Sequence, residues 1–190
     1  MGFEIIVVGT SLGGLTALRI LLSGLSRNFP VAIAIVQHRY KDLGNGLTDF
    51  LQQSLSLPIK DVEDKDEIQP GQIYLAPADY HLLVEPGYFS LSIDDPVSFS
   101  RPSIDVLFES AADTYGKQTI GIILTGANHD GARGLHSIKA AGGLAIVQEP
   151  TMAESGIMPQ AAIDATPVDA VLPLTAIAPY LMNLCCPVRS

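Results

Sequence analysis

The stretch that most constrains the fold covers residues 3–25 and reads FEIIVVGTSLGGLTALRILLSGL. Residues 5–8 are apolar on both faces of any strand, which is typical of a strand buried inside a parallel sheet. Leucines then recur at helical spacing, at positions 15, 18, 21, 22 and 25. The stretch therefore predicts a buried strand, a glycine-rich turn and a helix in succession.

The turn of this unit is compatible with one of three known site patterns. A dinucleotide fingerprint would need a glycine where Ser11 stands, and a P-loop would need a lysine where Leu15 stands. The segment Gly9-Thr10-Ser11-Leu12-Gly13 does match G-x-S-x-G, in which a sharp turn lifts a serine hydroxyl to the sheet edge. Ser11 is therefore a candidate nucleophile, with an N-capping serine as the alternative.

Further strands and helices alternate along the rest of the chain. We predict strands over residues 31–37, 72–76, 81–85, 88–93, 119–124, 144–148 and 169–172, and helices over residues 47–55, 103–114, 132–141, 159–165 and 175–184. Pro86-Gly87 predicts a hairpin between two of these strands, and the charged residues 61–69 predict a solvated loop and sheet edge. Ser103 is predicted to cap its helix, with Asp105 complementing the helix dipole.

This alternation predicts an α/β fold with a doubly wound, mainly parallel sheet, helices on both faces and a small antiparallel hairpin. A chain of 190 residues fits one domain spanning residues 1–190. Ligands of such sheets bind beyond the carboxyl ends of the strands.

Charge and cysteine content exclude several classes of protein. The net charge of −9 argues against a nucleic-acid partner or an anionic membrane surface, because both need clustered Lys and Arg. The two cysteines, Cys185 and Cys186, are adjacent and cannot staple distant parts of the fold. With no signal peptide and no membrane-length apolar run, we expect a soluble cytoplasmic protein.

Three polar residues each follow a strand predicted to be central: Ser11, His38 and Asp130. If those strands are neighbours, the side chains meet in one crevice. A serine needs a base to take its proton, and the base needs a carboxylate that orients it, so the three residue types fit a catalytic triad. The alternatives are a polar strand end for His38 and a helix cap or turn for Asp130.

The other histidines have weaker claims to chemistry. We expect His81 and His136 to be structural, whereas His129 neighbours Asp130 and could face the crevice. No spacing typical of a zinc site occurs, so we predict neither a metal nor a cofactor.

The segments GTSLGG, IVQHR, IYLAPADYHLLVE, RPSIDVLFESAA, ILTGANHDGARG and MPQAAI resemble the catalytic domain of the chemotaxis protein-glutamate methylesterases (CheB-type) in order and spacing. The resemblance covers about residues 5–172. It implies that Ser11 is the nucleophile, His38 the general base and Asp130 the orienting carboxylate. The implied reaction is hydrolysis of glutamyl methyl esters on the cytoplasmic domains of chemoreceptors, with deamidation of receptor glutamines as a related activity.

Several positions depart from the pattern of that family. Leu12 stands where the family usually has a small residue, and Gly126-Ala127-Asn128-His129-Asp130-Gly131 replaces Gly-Met-Gly-x-Asp-Gly. That loop is thought to supply a backbone amide to the oxyanion, so Ala127 is the expected donor, and asparagine tolerates the positive φ of a replaced glycine. The family often carries a receiver domain before the catalytic strand. Here we expect control to be absent or to come from a separate receiver protein.

We therefore expect a serine esterase of the methylesterase type. The alternatives are a hydrolase of the same fold acting on another ester or amide, and a non-catalytic module of a signalling pathway. The residues assigned to the substrate and oxyanion are Thr10, Leu12, Arg101 and Ala127. Among the cations that could meet acidic receptor helices (Arg39, Lys41, Arg101 and Arg133), Arg101 is preferred because a guanidinium can hold a carboxylate bidentately.

Overall fold

The computed structural model describes residues 2–38 and 46–186, which form nine strands and six helices. The strands are β1 Ile5–Thr10, β2 Ala32–Gln37, β3 Ile59–Asp61, β4 Ile73–Leu75, β5 His81–Glu85, β6 Tyr88–Ser92, β7 Thr119–Ile123, β8 Leu144–Gln148 and β9 Ala170–Leu172. The helices are α1 Gly14–Ser23, α2 Gly46–Gln52, α3 Ile104–Tyr115, α4 Ala132–Ala140, α5 Ile157–Ala165 and α6 Leu174–Cys185.

Seven strands form one parallel sheet in the order β3-β4-β2-β1-β7-β8-β9. The chain leaves β1 toward β2 on one side and later returns to β7 on the other. The carboxyl ends of β1 and β7 therefore lie at a topological switch point, where ligands of doubly wound sheets bind. The predicted fold class is confirmed.

Alternate residues of β1 point into two separate cores. Ile5 and Val7 face a core that includes α3, α4 and α5, whereas Ile6 and Val8 face a core that includes α1 and α6. Every residue of β1 is buried, because helices cover both faces of the sheet. This double cover explains why the sequence shows an unbroken apolar run here rather than an alternating pattern.

The hairpin of β5 and β6 is also confirmed, and it forms a sheet of its own. It is fastened to α3 by side chains, because the Val84 backbone exchanges hydrogen bonds with Ser110 and Thr114, each 2.9 Å long. The two-residue turn at Pro86 and Gly87 joins the strands, with Gly87 at φ 84°.

The charged region before the hairpin differs in part from its prediction. β3, at the sheet edge, was not predicted, because Ile59–Asp61 has only three residues and two of them are charged. It exists because β4 offers a pairing edge, which a local pattern does not reveal. Lys60 pairs with Asp66 at 2.8 Å, so the charges do lie at a solvated edge.

No helix in the described residues is long and apolar enough to cross a membrane.

Close packing of α3 on α4 depends on Gly134, and this packing can be tested. A Cβ atom built on Gly134 would lie 2.5 Å from Cβ of Phe108 and 3.1 Å from Cα of Asp105. Neither atom can move without shifting α3, so we expect Gly134→Ala to lower the free energy of unfolding by about 1–3 kcal/mol. Urea denaturation measures the change.

Gly46→Ala is the matched control, because Gly46 also lies in a helix and a Cβ there would meet nothing within 4 Å. We expect its free energy of unfolding to stay within about 1 kcal/mol of wild type. Equal effects of the two substitutions would show that helix contact does not restrict position 134.

Candidate active site

The residues that directly follow β1, β2 and β7 meet at the carboxyl edge of the sheet. Hydrogen bonds continue the strand ladders to these residues: Ser11 N donates to Thr125 O and His38 N to Thr10 O, both at 3.0 Å. The Gln37 side chain joins the backbones of Ser11 and His38, because its Nε2 donates to Ser11 O at 2.9 Å and to His38 O at 2.8 Å. The backbones of Ser11 and His38 are therefore held at a fixed spacing.

His38 and Asp130 form the central polar pair of the site. Nε2 of His38 lies 2.7 Å from Oδ2 of Asp130, and both side chains are largely shielded from solvent, with relative exposures of 13% and 1%. A hydrogen bond of this length between an imidazole N–H and a carboxylate fixes the ring orientation and its tautomer. The structure thus brings together the predicted base and the predicted orienting carboxylate.

Asp130 accepts three hydrogen bonds from the start of α3 besides the one from His38. Oδ1 accepts from Ser103 Oγ and Asp105 N, both at 2.9 Å, and Oδ2 accepts from Ile104 N at 2.7 Å. Burial by itself raises the Asp130 pKa, but the hydrogen bonds from His38 and the two backbone N–H groups outweigh it, so the pKa lies below its ordinary value. Asp130 is therefore an ionised carboxylate at neutral pH.

The sign of this shift sets how Asp130 contributes to stability. Its pKa is lower in the folded chain than the ordinary value of 3.8, so the contribution is complete above that value. It is lost as the pH falls through the lower folded-state pKa. The network is consequently intact across the pH range in which a histidine base works.

The predicted N-cap position of Ser103 is confirmed, but its hydroxyl does not cap α3. Ser103 does occupy the N-cap position, but its side chain makes no cap hydrogen bond and donates to Asp130 instead. Asp130, from the loop before α4, accepts the first backbone N–H groups of α3 in its place. A distant carboxylate therefore does the capping that a local serine was expected to do.

Asp105 makes the reciprocal connection from α3 to α4. Its Oδ1 accepts from Gly131 N at 3.0 Å and from Gly134 N at 2.7 Å, at the start of α4. Burial raises the Asp105 pKa above its ordinary value, the Gly134 N–H partly offsets this, and the charge of Asp130 raises it further. Asp105 lies in the first turn of α3 as expected, and the two hydrogen bonds that its Oδ1 accepts come from the start of the other helix.

Ser11 lies just before α1, in a turn that depends on Gly13 at φ 77°. Its Oγ lies 3.4 Å from Nδ2 of Asn128, and the same Nδ2 lies 3.1 Å from Nδ1 of His38. Ser11, His38 and Asn128 therefore share one small space. Oδ1 of Asn128 accepts from Asp130 N at 2.9 Å, which closes a turn within the loop.

Asn128 does not adopt the positive φ expected from a glycine replacement. The described non-glycine residues with positive φ are Lys65, Asp79, Ser98 and Phe99. Asn128 is instead held by the turn to Asp130 N. Its conformation follows from a side-chain hydrogen bond rather than from tolerance of the left-handed region.

A cleft of about 330 Å³ opens over these groups. Its lining consists of Ser11, His38, Phe99, Ser100, Arg101, Pro102 and Asn128. Phe99 is fully exposed at the tip of a tight turn, where Ser98 and Phe99 have φ of 51° and 63°. The cleft is thus open at one side and offers an aromatic ring beside the polar groups.

Arg101 lines this cleft as predicted, but its guanidinium is largely engaged within the chain. Nε and Nη2 donate to Oδ1 of Asp79 at 3.3 and 2.8 Å, and Nη1 donates to the carbonyls of Ile93 and Asp94 at 2.9 and 3.1 Å. These four bonds hold the loop that carries Phe99 against the loop of Asp79. A bidentate grip on a substrate carboxylate would require some of them to break.

The remaining predicted substrate residues fall into two groups. Thr10 is completely buried and its hydroxyl donates to Thr125 O at 2.8 Å, so its side chain supports the turn from inside, and its assignment to the substrate or oxyanion stays a prediction. Leu12 and Ala127 are exposed beside the site, Leu12 to 54%. Their roles remain predictions.

The other candidate residues lie away from the cleft or outside the described chain. His81 is buried as expected of a structural histidine, with its ring between Ser103 N and Asp95 O at 3.2 and 3.0 Å. His129 is exposed and lines a separate groove along α4 and α5. Arg133 pairs with Glu109. The cations at positions 39 and 41 lie outside the described residues.

Sequence reasoning missed two residues that organise this site, Gln37 and Asn128. Gln37 could have been noticed as the polar last residue of an otherwise apolar strand. Asn128 carried a signal as well, since it stands two residues before Asp130, the spacing of an Asx turn. Neither signal reveals the long-range partners, which come from other strands.

Comparisons with known proteins give a consistent result. The family model described as CheB methylesterase matches residues 6–181. A protein of Leptospira interrogans is 48% identical over 185 residues, covering 97% of this chain and 96% of that protein; it is provisionally named a protein-glutamate methylesterase/protein-glutamine glutaminase. A protein of Anaeromyxobacter dehalogenans with that name is 39% identical over 181 residues, and the match spans 95% of this chain and 53% of that protein.

A solved structure is also similar. The crystal structure of the Thermotoga maritima CheB methylesterase catalytic domain superposes with a TM-score of 0.93 at 33% sequence identity. The match covers 97% of this chain and 100% of that one.

The hydrogen bonds that Asp105 accepts from the start of α4 should stabilise the folded chain. Asp105→Ala leaves the backbone N–H groups of Gly131 and Gly134 without their acceptor at a buried helix start. We expect the free energy of unfolding, measured by urea denaturation, to fall by about 1–3 kcal/mol, less whatever is regained by removing a buried charge. Asp113→Ala, on the exposed face of the same helix, is the control. The same loss in both variants would contradict a specific role for Asp105.

Proposed function

Because the chain belongs to the CheB methylesterase family, we propose that Ser11, His38 and Asp130 are the catalytic triad of a protein-glutamate methylesterase. The observation that carries this assignment is the 2.7 Å contact between His38 and the buried Asp130 beside the Ser11 turn. Its substrates are glutamyl methyl esters on the cytoplasmic domains of chemoreceptors, so the enzyme works in the cytoplasm. A separate receiver protein is a candidate regulator.

The reaction begins with proton transfer from Ser11 to His38. Since Nε2 of His38 faces Asp130, Nδ1 is the nitrogen left to accept the Ser11 proton. Oγ then bonds to the ester carbonyl carbon and the carbonyl π electrons move to oxygen. Asp130, which stays ionised, stabilises the imidazolium that forms. The buried carboxylate with its lowered pKa suits that role.

The tetrahedral intermediate collapses when His38 returns the proton to the methoxy oxygen, which releases methanol and leaves a γ-glutamyl ester on Ser11. Water, deprotonated by the same nitrogen, then attacks this ester and restores the serine. A glutamine side chain follows the same course with ammonia as the leaving group, which accounts for a glutaminase activity.

Backbone N–H groups are the proposed stabilisers of the oxyanion. Ser11 precedes the N-terminus of α1, where helix N–H groups and the dipole favour negative charge. The assigned donors are the backbone N–H groups of Leu12, which follows Ser11, and of Ala127, in the loop after β7. Leu12 exposes its side chain at this point, so it also borders the approach of the substrate.

Removal of the nucleophile is the direct test. We expect Ser11→Ala to lower kcat for methanol release from methylated receptor fragments by about 10⁴- to 10⁶-fold, because no other group can form the acyl-enzyme. Urea denaturation should show a folded protein of nearly wild-type stability, since Ser11 sits partly exposed in a turn. Ser23→Ala, on the exposed side of α1, should keep full activity. Wild-type turnover in Ser11→Ala would eliminate the proposed mechanism.

Arg101 gives a second test, with two substrates. If its guanidinium also binds receptor carboxylates, Arg101→Ala should lower kcat/KM for a receptor fragment by at least tenfold more than for a small activated ester, which needs no docking. If its bonds to Asp79, Ile93 and Asp94 are its whole role, both substrates should lose activity by a similar factor. The ratio of the two losses therefore decides whether Arg101 contributes to docking.

A further inference from the structure

The side-chain amide of Asn128 lies between the two groups that exchange a proton in the proposed reaction. Its Nδ2 is 3.1 Å from Nδ1 of His38 and 3.4 Å from Oγ of Ser11. A Ser-His-Asp triad needs no such amide, so Asn128 is an addition to it. Any role for Asn128 in catalysis rests on the proposed assignment of Ser11 and His38.

The orientation of the amide follows from its hydrogen bond to the backbone. Oδ1 of Asn128 lies 2.9 Å from the backbone nitrogen of Asp130. A backbone N–H can only donate, so the oxygen of the amide must face it and the NH₂ group must face His38. The Asx turn therefore fixes which end of Asn128 reaches the site.

The state of the imidazole follows in the same way. Nε2 of His38 lies 2.7 Å from the Asp130 carboxylate, which accepts hydrogen bonds, so Nε2 carries the proton. The NH₂ group of Asn128 can only donate, so Nδ1 of His38 accepts this hydrogen bond with its lone pair. This is the same lone pair that must accept the Ser11 proton, and it can accept one strong hydrogen bond at a time.

We propose that Asn128 is a positioning residue that occupies the Nδ1 lone pair of His38 in the resting enzyme, whereas the bond to Asp130 sets the orientation of the ring. For the reaction to start, the Ser11 hydroxyl displaces the amide from Nδ1, and Ser11 then transfers its proton to that nitrogen as Oγ bonds to the ester carbon. The hydrogen bond between the Asn128 amide and Nδ1 of His38 must therefore break before Ser11 can be acylated.

Asn128→Ser separates the turn from the amide. A serine hydroxyl can still accept the Asp130 N–H two residues on, but it is too short to reach His38. We expect kcat/KM for a small activated acetate ester to rise about 2- to 10-fold, the effect of removing one ordinary hydrogen bond that competes for the base. Asn128→Gly, which removes the turn as well, guards against a variant-specific folding defect and should also exceed wild type.

Nitrogen-15 NMR of the imidazole supplies a readout that a purely structural role would not move. In the Ser11→Ala background, where no serine hydroxyl can take the vacated lone pair, Asn128→Ser should shift the Nδ1 resonance of His38 toward that of an imine nitrogen without a hydrogen bond, while the resonance of Nε2 stays in place because Asp130 is unchanged. Asn28→Ser, an exposed asparagine in the loop after α1, is the control and should alter neither kcat/KM nor the spectrum.

Unchanged or lower kcat/KM in both Asn128→Ser and Asn128→Gly would overturn this role for Asn128. A loss in kcat/KM of about 100-fold or more would also overturn it and would indicate that Asn128 stabilises the oxyanion, since a donor to the oxyanion has an effect of that size. The double variant Ser11→Ala/Asn128→Ser tests the proposed serine mechanism separately from the role of Asn128. If it still hydrolyses the ester, the serine mechanism itself is wrong, whatever Asn128 does.

Discussion

The site depends on two carboxylates at the starts of α3 and α4, each of which accepts backbone N–H groups from the start of the other helix. Asp130, just before α4, accepts backbone N–H groups of α3, and Asp105, in the first turn of α3, accepts backbone N–H groups of α4. Each carboxylate is buried, so each needs those donors to offset the loss of water. Because Asp130 is held by α3 on one side and His38 on the other, the orientation of the His38 ring is set by the packing of two helices.

These hydrogen bonds require very close approach of the two helices, which Gly134 permits. Asp105 and Asp130 have pKa values displaced in opposite directions although they are neighbours. Asp130 meets a histidine and backbone donors that favour its charge, whereas burial dominates for Asp105. One carboxylate is thereby kept ionised to serve the imidazole, and the other mainly joins the helices.

The sheet supplies the second constraint, through the register of β1 with β2 and β7. Parallel strands in register end at the same level, so the residues that follow them start from adjacent points. The ladder bonds of Ser11 and His38, and the two bonds donated by Gln37, extend this alignment beyond the strand ends. Residues from three separate parts of the sequence therefore meet within a few ångströms.

The sequence by itself determined the doubly wound fold and the positions of Ser11, His38 and Asp130, because buried parallel strands are unbroken apolar runs whose ends can be read directly. Only the tertiary structure decided the partners of the polar side chains. The Thr10 hydroxyl donates to Thr125 O, the Ser103 hydroxyl donates to Asp130, and the Asn128 amide lies between Ser11 and His38. The physical reason is that local patterns report burial and backbone preference, whereas a hydrogen bond between residues 27 to 115 positions apart depends on how whole elements pack.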